Sequence, residues 1–132
     1  MDLQKTTACV IFALITTTVT AKETYLPDDF SRLERTRSCV HCDLTELSIS
    51  DLDIEYADLS DSYLTSAYLS NINLNNSKLD KANFAYASFI SCHAKDSSIN
   101  NTNFEASDIK SSHFENSNFS GAIFIGSNVH SG

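Results

Sequence analysis

Large apolar residues return at every fifth position over more than half of this chain, and few folds can use that spacing. Starting at Leu44, the series runs Leu44, Ile49, Ile54, Leu59, Leu64, Leu69, Leu74, Leu79, Phe84, Phe89, Ala94, Ile99, Phe104, Ile109, Phe114, Phe119, Phe124 and Val129. Seventeen of these eighteen positions are Leu, Ile, Phe or Val, whereas the other 72 positions between Cys42 and Ser131 hold only six such residues, namely Leu47, Leu52, Ile72, Ile90, Ile123 and Ile125. A helix repeats its faces every 3.6 residues and a strand every 2, so neither element alone produces a beat of five. A second column runs two residues ahead of the first. It is small in fifteen of eighteen cases, for example Cys42, Ala57, Ser62, Ala67, Ala82, Ala87, Cys92, Thr102, Ala122 and Ser127, with Leu47, Leu52 and Ile72 as exceptions. The three remaining columns are mostly Asp, Asn, Ser, Lys, Glu and Tyr. One large and one small residue per five therefore point inward, and three meet water.

The unit so defined resembles the pentapeptide-repeat family, whose repeat reads Ala-(Asp/Asn)-Leu-x-x. Clear copies are Ala57-Asp58-Leu59, Ala82-Asn83-Phe84, Thr102-Asn103-Phe104 and Ser117-Asn118-Phe119. The resemblance implies an all-β fold, a right-handed quadrilateral β-helix with four pentapeptides per coil. Eighteen copies then make about 4.5 coils, roughly 22 Å tall at ~4.8 Å per stacked strand. Residues twenty apart, such as Leu44, Leu64, Phe84, Phe104 and Phe124, should stack. Ala94 breaks the large series in a coil that also holds Phe84 and Phe89, which reads as volume compensation.

The sequence divides into three parts. Residues 1–21 read as a secretory signal peptide: Lys5 near the start, an apolar run from Ala8 to Ile15, and small residues at 19 and 21 that suit cleavage after Ala21. Residues 22–41 read as a cap segment with a short helix, where Pro27-Asp28-Asp29 supplies a helix cap and Phe30 and Leu33 share one face. Residues 42–131 are the repeats. After the leader no apolar stretch is long enough to cross a bilayer, so the expectation is an exported chain, periplasmic or secreted, with no membrane segment once the leader is removed. At the far end no lid is legible, and Ile123 and Ile125 stand in outward columns beside Phe124 and Val129.

Cys39-Val40-His41-Cys42 leads into the first repeat, and many relatives in the family show a similar short helix and Cys-x-x-Cys there. In an oxidising space a local disulfide between Cys39 and Cys42 is one expectation and a pair of buried thiols the other. A thiol–disulfide exchange role has the right spacing, but no βαβ pattern accompanies it, and zinc would need two more ligands than His41 can provide. Cys92, in an interior column, should be a buried thiol. His93 and His113 fall twenty apart in one outward column continued by Asp53 and Asn73; they lack a third ligand, and solvated surface residues are expected.

Charge excludes some functions. The formal net charge of -8 argues against nucleic acid as a partner. Asp43, Glu46, Asp51, Asp53, Glu55, Asp58 and Asp61 form an unbroken acidic run with no base between them. Some pentapeptide-repeat relatives imitate DNA toward type II topoisomerases, which would need acids tracking along one face; here they ring one end. Tyr56, Tyr63, Tyr68 and Tyr86 all fall in outward columns and form a candidate contact patch. Convex walls offer no cleft, so no catalytic residue, cofactor or metal is expected. The functional expectation is a non-catalytic protein-interaction or structural module with an unknown protein partner, able to pair end to end with a second copy through its C-terminal coil. The alternatives are the topoisomerase-directed DNA mimic and the redox role of Cys39 and Cys42.

Overall fold

The computed structural model describes residues 25–131; the leader expected at 1–21 lies outside them. One helix, α1 (Pro27–Thr36), precedes five short parallel strands: β1 (Ser48–Ser50), β2 (Tyr68–Ser70), β3 (Ser88–Ile90), β4 (Asp108–Lys110) and β5 (Asn128–His130). The strands form one sheet in sequence order. Their register is a shift of twenty residues, Ile49 against Leu69, Leu69 against Phe89, Phe89 against Ile109 and Ile109 against Val129. Parallel bridges with the same shift define the other three walls, for instance Asp43 to Tyr63 to Asn83 to Asn103 to Ile123. Twenty residues per coil at five per repeat makes four walls, the quadrilateral β-helix.

The five-residue unit is explained by its backbone accounting. Around each central residue, the N–H groups of that residue, of the one before it and of the one two after it reach adjacent coils, as Leu44 to Tyr63 O, Tyr63 to Cys42 O and Glu46 to Thr65 O show. A turn then closes many corners, with the Leu47 N–H donating to Leu44 O and the Ala82 N–H to Leu79 O. One N–H remains, that of the residue just after the centre, and a buried orphan there would be costly. The Asp or Asn before the centre accepts it: Thr45 donates to Asp43, Glu55 to Asp53, Ala85 to Asn83 and Glu105 to Asn103, at 2.9–3.2 Å. This is the Asx turn, and it is why the repeat favours those two residues.

Where the preceding residue is neither Asp nor Asn, the coil below can supply the acceptor. His93 and Ser98 stand in that place, and the Lys95 N–H goes to Asn75 Oδ1 and the Asn100 N–H to Asp80 Oδ1, both at 2.8 Å. Asp80 Oδ1 also accepts from the Ser98 hydroxyl at 2.7 Å. Asp80→Ala is therefore expected to cost about 1–3 kcal/mol and lower the melting temperature by several degrees, with Asp80→Asn keeping most of the loss away. A melt followed by circular dichroism decides, and an Asp80→Ala curve that overlays the parent's refutes this role.

Turn geometry explains another column. Every fifth residue from His41 to Asn116 has a positive φ near 60°, followed by Gly121 and Gly126 in the same place. Asp, Asn and Gly suit that region, and Gly121 has a further reason to be glycine, since a Cβ would strike the Asn101 side-chain oxygen. Tyr56, Lys81 and Tyr86 adopt it as well, a conformation that costs such residues something the surrounding ladders must supply.

The interior is filled by the expected columns. Phe84, Phe89, Phe104, Leu44, Leu59, Leu64, Leu74 and Leu79 are fully buried, and Ala94 is buried among them. Phe84, Phe104 and Phe124 stack almost parallel, at 5.5 and 5.0 Å between centroids. Most small interior hydroxyls are partnered within the wall, with the buried Ser107 Oγ as an exception. Ser97 donates to Leu74 O at 3.0 Å and accepts from the Ser77 N–H, and Thr102 donates to Leu79 O at 2.6 Å. Leu47 and Ile72, large residues in the small column, are accommodated and fully buried.

At the N-terminal end α1 covers the column with Phe30 and Leu33, both buried, and Tyr25 packs edge-on against Phe30. The helix begins at Pro27, but its capping differs from the sequence expectation. Leu26 is the N-cap, with no side-chain cap bond, and Pro27 fills the first turn. The Asp29 carboxylate accepts instead from the Asp43 N–H at 2.8 Å, tying the lid to the first coil. The carboxylate goes to this tertiary bond because Asp43 is the first bridged residue of its wall and no described coil lies beneath it to take its N–H. The helix stops where Arg37 turns left-handed and its N–H returns to Leu33 O.

Candidate interaction surfaces

Among the described residues the column is covered at its N-terminal end and bare at its C-terminal end. Burial falls through the last coil: Phe114 and Phe119 are half-buried, while Phe124 is 37%, Ile123 42%, Val129 64% and Ile125 73% exposed. Ile109, Phe114, Phe119, Phe124 and Val129 line a wholly apolar hollow of about 310 Å³. β5 pairs with β4 on one side only, so its other edge offers unpaired backbone groups. Among residues 116–132 there is no Asp, Glu, Lys or Arg. This charge-free stretch carries no motif that marks it in the sequence, unlike the acidic run at the opposite end.

Charge on the walls follows the expected ring. Each bridge column that begins with an acid in the first coil loses it above: Asp43 gives way to Tyr63 and Asn83, Asp53 to Asn73 and His93, Asp58 to Lys78 and Ser98. No wall carries an acidic track along its length. Two exposed ion pairs sit higher, Lys95 with Glu115 at 3.9 Å and Lys110 with Asp108 at 3.1 Å, and such pairs contribute little.

The four tyrosines are exposed, but the register divides them. Tyr63 lies on the wall of Leu64 and Tyr86 at its far corner one coil higher, beside the wall of Tyr68; Tyr56 occupies the diagonally opposite corner, after Ile54. Three of the residues share one side of the column and the fourth does not. His93 and His113 stack with centroids 5.0 Å apart and rings within 8° of parallel. Parallel rings do not converge on a shared ion, and among the described residues no group of three or more His, Cys, Asp or Glu could hold a metal.

Cys39 and Cys42 form a disulfide, and Cys92 is a buried free thiol. Burial pushes the Cys92 thiol up from its ordinary value, against the partial help of neighbouring backbone hydrogen bonds, so it is a packing residue and a poor nucleophile. Partial burial likewise raises the Glu34 carboxyl on α1. Among the described residues no helix is long and apolar enough to cross a membrane.

A stacked coil of five-residue units, four to a turn, defines a class of repeat solenoid. The family model for pentapeptide repeats matches residues 57–93 and 94–131 in eight copies, and the chain belongs to that family. Among solved structures it is similar to the pentapeptide repeat protein HetL, involved in heterocyst differentiation regulation in the cyanobacterium Nostoc sp. strain PCC 7120. That match has 19% identity and a TM-score of 0.54, covering 78% of this chain and 45% of HetL, so the chain spans less than half of that relative. It is also similar to Rfr23 from the cyanobacterium Cyanothece 51142, with 17% identity and a TM-score of 0.49 over 77% of this chain and 97% of that one. A third match is a pentapeptide repeat protein of the Arabidopsis thaliana thylakoid lumen, with 15% identity and a TM-score of 0.36 over 77% of this chain and 68% of that one. No curated protein sequence matches the chain.

Proposed function

We infer that this protein is an exported, non-catalytic interaction module that works by pairing its open C-terminal coil with a second copy of itself. The observation that carries the reading is the apolar, uncharged end formed by Phe124, Ile125 and Val129 around the hollow over Ile109 and Phe114. An end that exposes both apolar surface and a strand edge is stabilised by a like surface. Charge selects the geometry. The acidic ring and the lid occupy the other end, so joining two neutral ends buries no charge, and a two-fold pair closes instead of growing into a fibre. Convex walls without a cleft support the non-catalytic part. The leader pattern of residues 1–21 and the disulfide support export to an oxidising space.

The experiment is size-exclusion chromatography with light scattering across a concentration series. The expected result is a dimer whose dissociation constant weakens at least tenfold in the Ile125→Asp, Val129→Asp double variant, since burying each side chain is worth about 1.5–3 kcal/mol. A monomer at every concentration, or a dimer indifferent to both substitutions, overturns the reading.

A further inference from the structure

One side of the column sets three aromatic rings among acids with no base between them. Ser66 marks its centre, at the left-handed corner between the wall of Leu64 and the wall of Leu69. Tyr63 precedes it by three residues and Tyr68 follows it by two. Tyr86 occupies the same corner one coil higher, and Glu46 the same corner one coil lower. Asp43 lies directly beneath Tyr63 in the parallel bridges. Glu105 belongs to the coil above, where its carbonyl accepts from the Tyr86 N–H at 2.8 Å. Tyr56, with Asp53 and Glu55 close by in the chain, is a lone ring at another corner.

These groups are left free by the fold. Tyr63, Tyr68 and Tyr86 are exposed, and among the described residues they enter no ring stack and no hydroxyl hydrogen bond. Among the same residues Asp43, Glu46 and Glu105 enter no ion pair. Residues 43–50, 63–70 and 83–90, which build both walls through three coils, hold no Lys, Arg or His. Of the nearest lysines, Lys81 stands at the preceding corner and Lys110 is held by Asp108.

A tyrosine ring offers a negative π-face, and a nearby carboxylate strengthens its attraction for a cation. The group that satisfies both at once is a guanidinium, which stacks flat on an aromatic ring and forks onto a carboxylate, whereas an ammonium is a strongly hydrated point charge. An apolar partner would bury Asp43 and Glu46 unpaired, and an acidic one would be repelled. We propose that this side binds an arginine-rich basic segment of a separate protein, with Tyr63, Tyr68 and Tyr86 as the stacking residues and Asp43 and Glu46 as the acids that draw it in. The inference stands apart from end-to-end pairing, because joining the C-terminal ends leaves this side free.

Fluorescence anisotropy of a labelled octa-arginine peptide, titrated with the protein at physiological ionic strength, tests it. Charges on the other walls are then screened beyond ~8 Å. The expected result is saturable binding that weakens roughly fivefold or more in the Tyr63→Ala, Tyr86→Ala double variant, the scale of two exposed cation–π contacts. Tyr63→Leu with Tyr86→Leu, which keeps apolar bulk and removes the π-faces, should lose as much. Asp43→Asn with Glu46→Gln should weaken binding by a smaller factor, Tyr56→Ala should leave it unchanged, and octa-lysine should bind less tightly than octa-arginine. Circular-dichroism melts check that each variant keeps the column. An affinity indifferent to the tyrosine pair, or lowered as much by Tyr56→Ala, reduces the contact to general charge attraction and overturns the proposal. Octa-glutamate binding as tightly as octa-arginine overturns it too. A second copy of this chain, bringing Arg35 and Arg37 as the basic segment, would show in light scattering without peptide. Self-association that the tyrosine pair abolishes and Ile125→Asp, Val129→Asp does not overturns the separate partner.

Discussion

Phe104→Ala should destabilise the column by about 3–5 kcal/mol, the largest effect expected of any single substitution here. Phe104 is fully buried and lies between Phe84 and Phe124 in the parallel stack, with Phe89 tilted against it at 5.7 Å and Phe119 at 6.4 Å. Removing the ring leaves a cavity that the backbone ladders above and below prevent from collapsing. The loss combines the transfer energy of the ring with the aromatic contacts on both faces. In a domain that is stable by about 5–15 kcal/mol, this takes a large share of the whole. Chemical denaturation of Phe104→Ala beside Phe104→Leu gives the number. A midpoint within experimental error of the parent's would mean that the stack is not what fills the interior.

Ala94→Phe should destabilise by about 1–3 kcal/mol for the opposite reason. The second coil is filled by Leu64, Leu69, Leu74 and Leu79, and the third by Phe84, Phe89, Ala94 and Ile99, all buried. Two phenylalanines in the third coil take the room that a large residue at 94 would need, and Leu74 and Phe114 stand directly below and above it. The test of shared volume is a compensated pair. Ala94→Leu alone should destabilise, while Phe89→Leu with Ala94→Leu, which restores the leucines of the coil below at these two places, should recover most of the loss. Additive effects, or a melting temperature raised by Ala94→Phe, would remove the compensation.

The five-residue series made the inward columns legible because burial acts on hydrophobicity directly, and every residue from Leu44 to Phe104 in that series is buried as expected. The number of walls was not in the period. It came from the family resemblance, and the twenty-residue register supplies it physically. The left-handed corner was also illegible, because Tyr56, Lys81 and Tyr86 stand where Asn or Gly would have marked it. Here the ladders override local preference. Asp28 and Asp29 looked like a helix cap, yet Asp29 serves a residue fourteen positions away, which no local motif reveals. Cys39 and Cys42 left two states open in sequence, and only the closed 39–42 turn under α1 brings their sulfurs together. Tyr56 stands apart from Tyr63, Tyr68 and Tyr86, which the sequence did not show, since column membership says which way a residue faces and not which corner it occupies.

The twenty-residue coil is tested most directly by labelling surface cysteines with pyrene maleimide and recording excimer fluorescence. His93 and His113 are stacked partners on one wall, while Asn103, ten residues from His93, belongs to the opposite wall. Buried Cys92 and the disulfide stay unlabelled in the native protein. The His93→Cys, His113→Cys pair should give strong excimer emission, and the His93→Cys, Asn103→Cys pair only monomer emission. Excimer from the ten-residue pair, or none from the twenty-residue pair, would contradict a column of four walls.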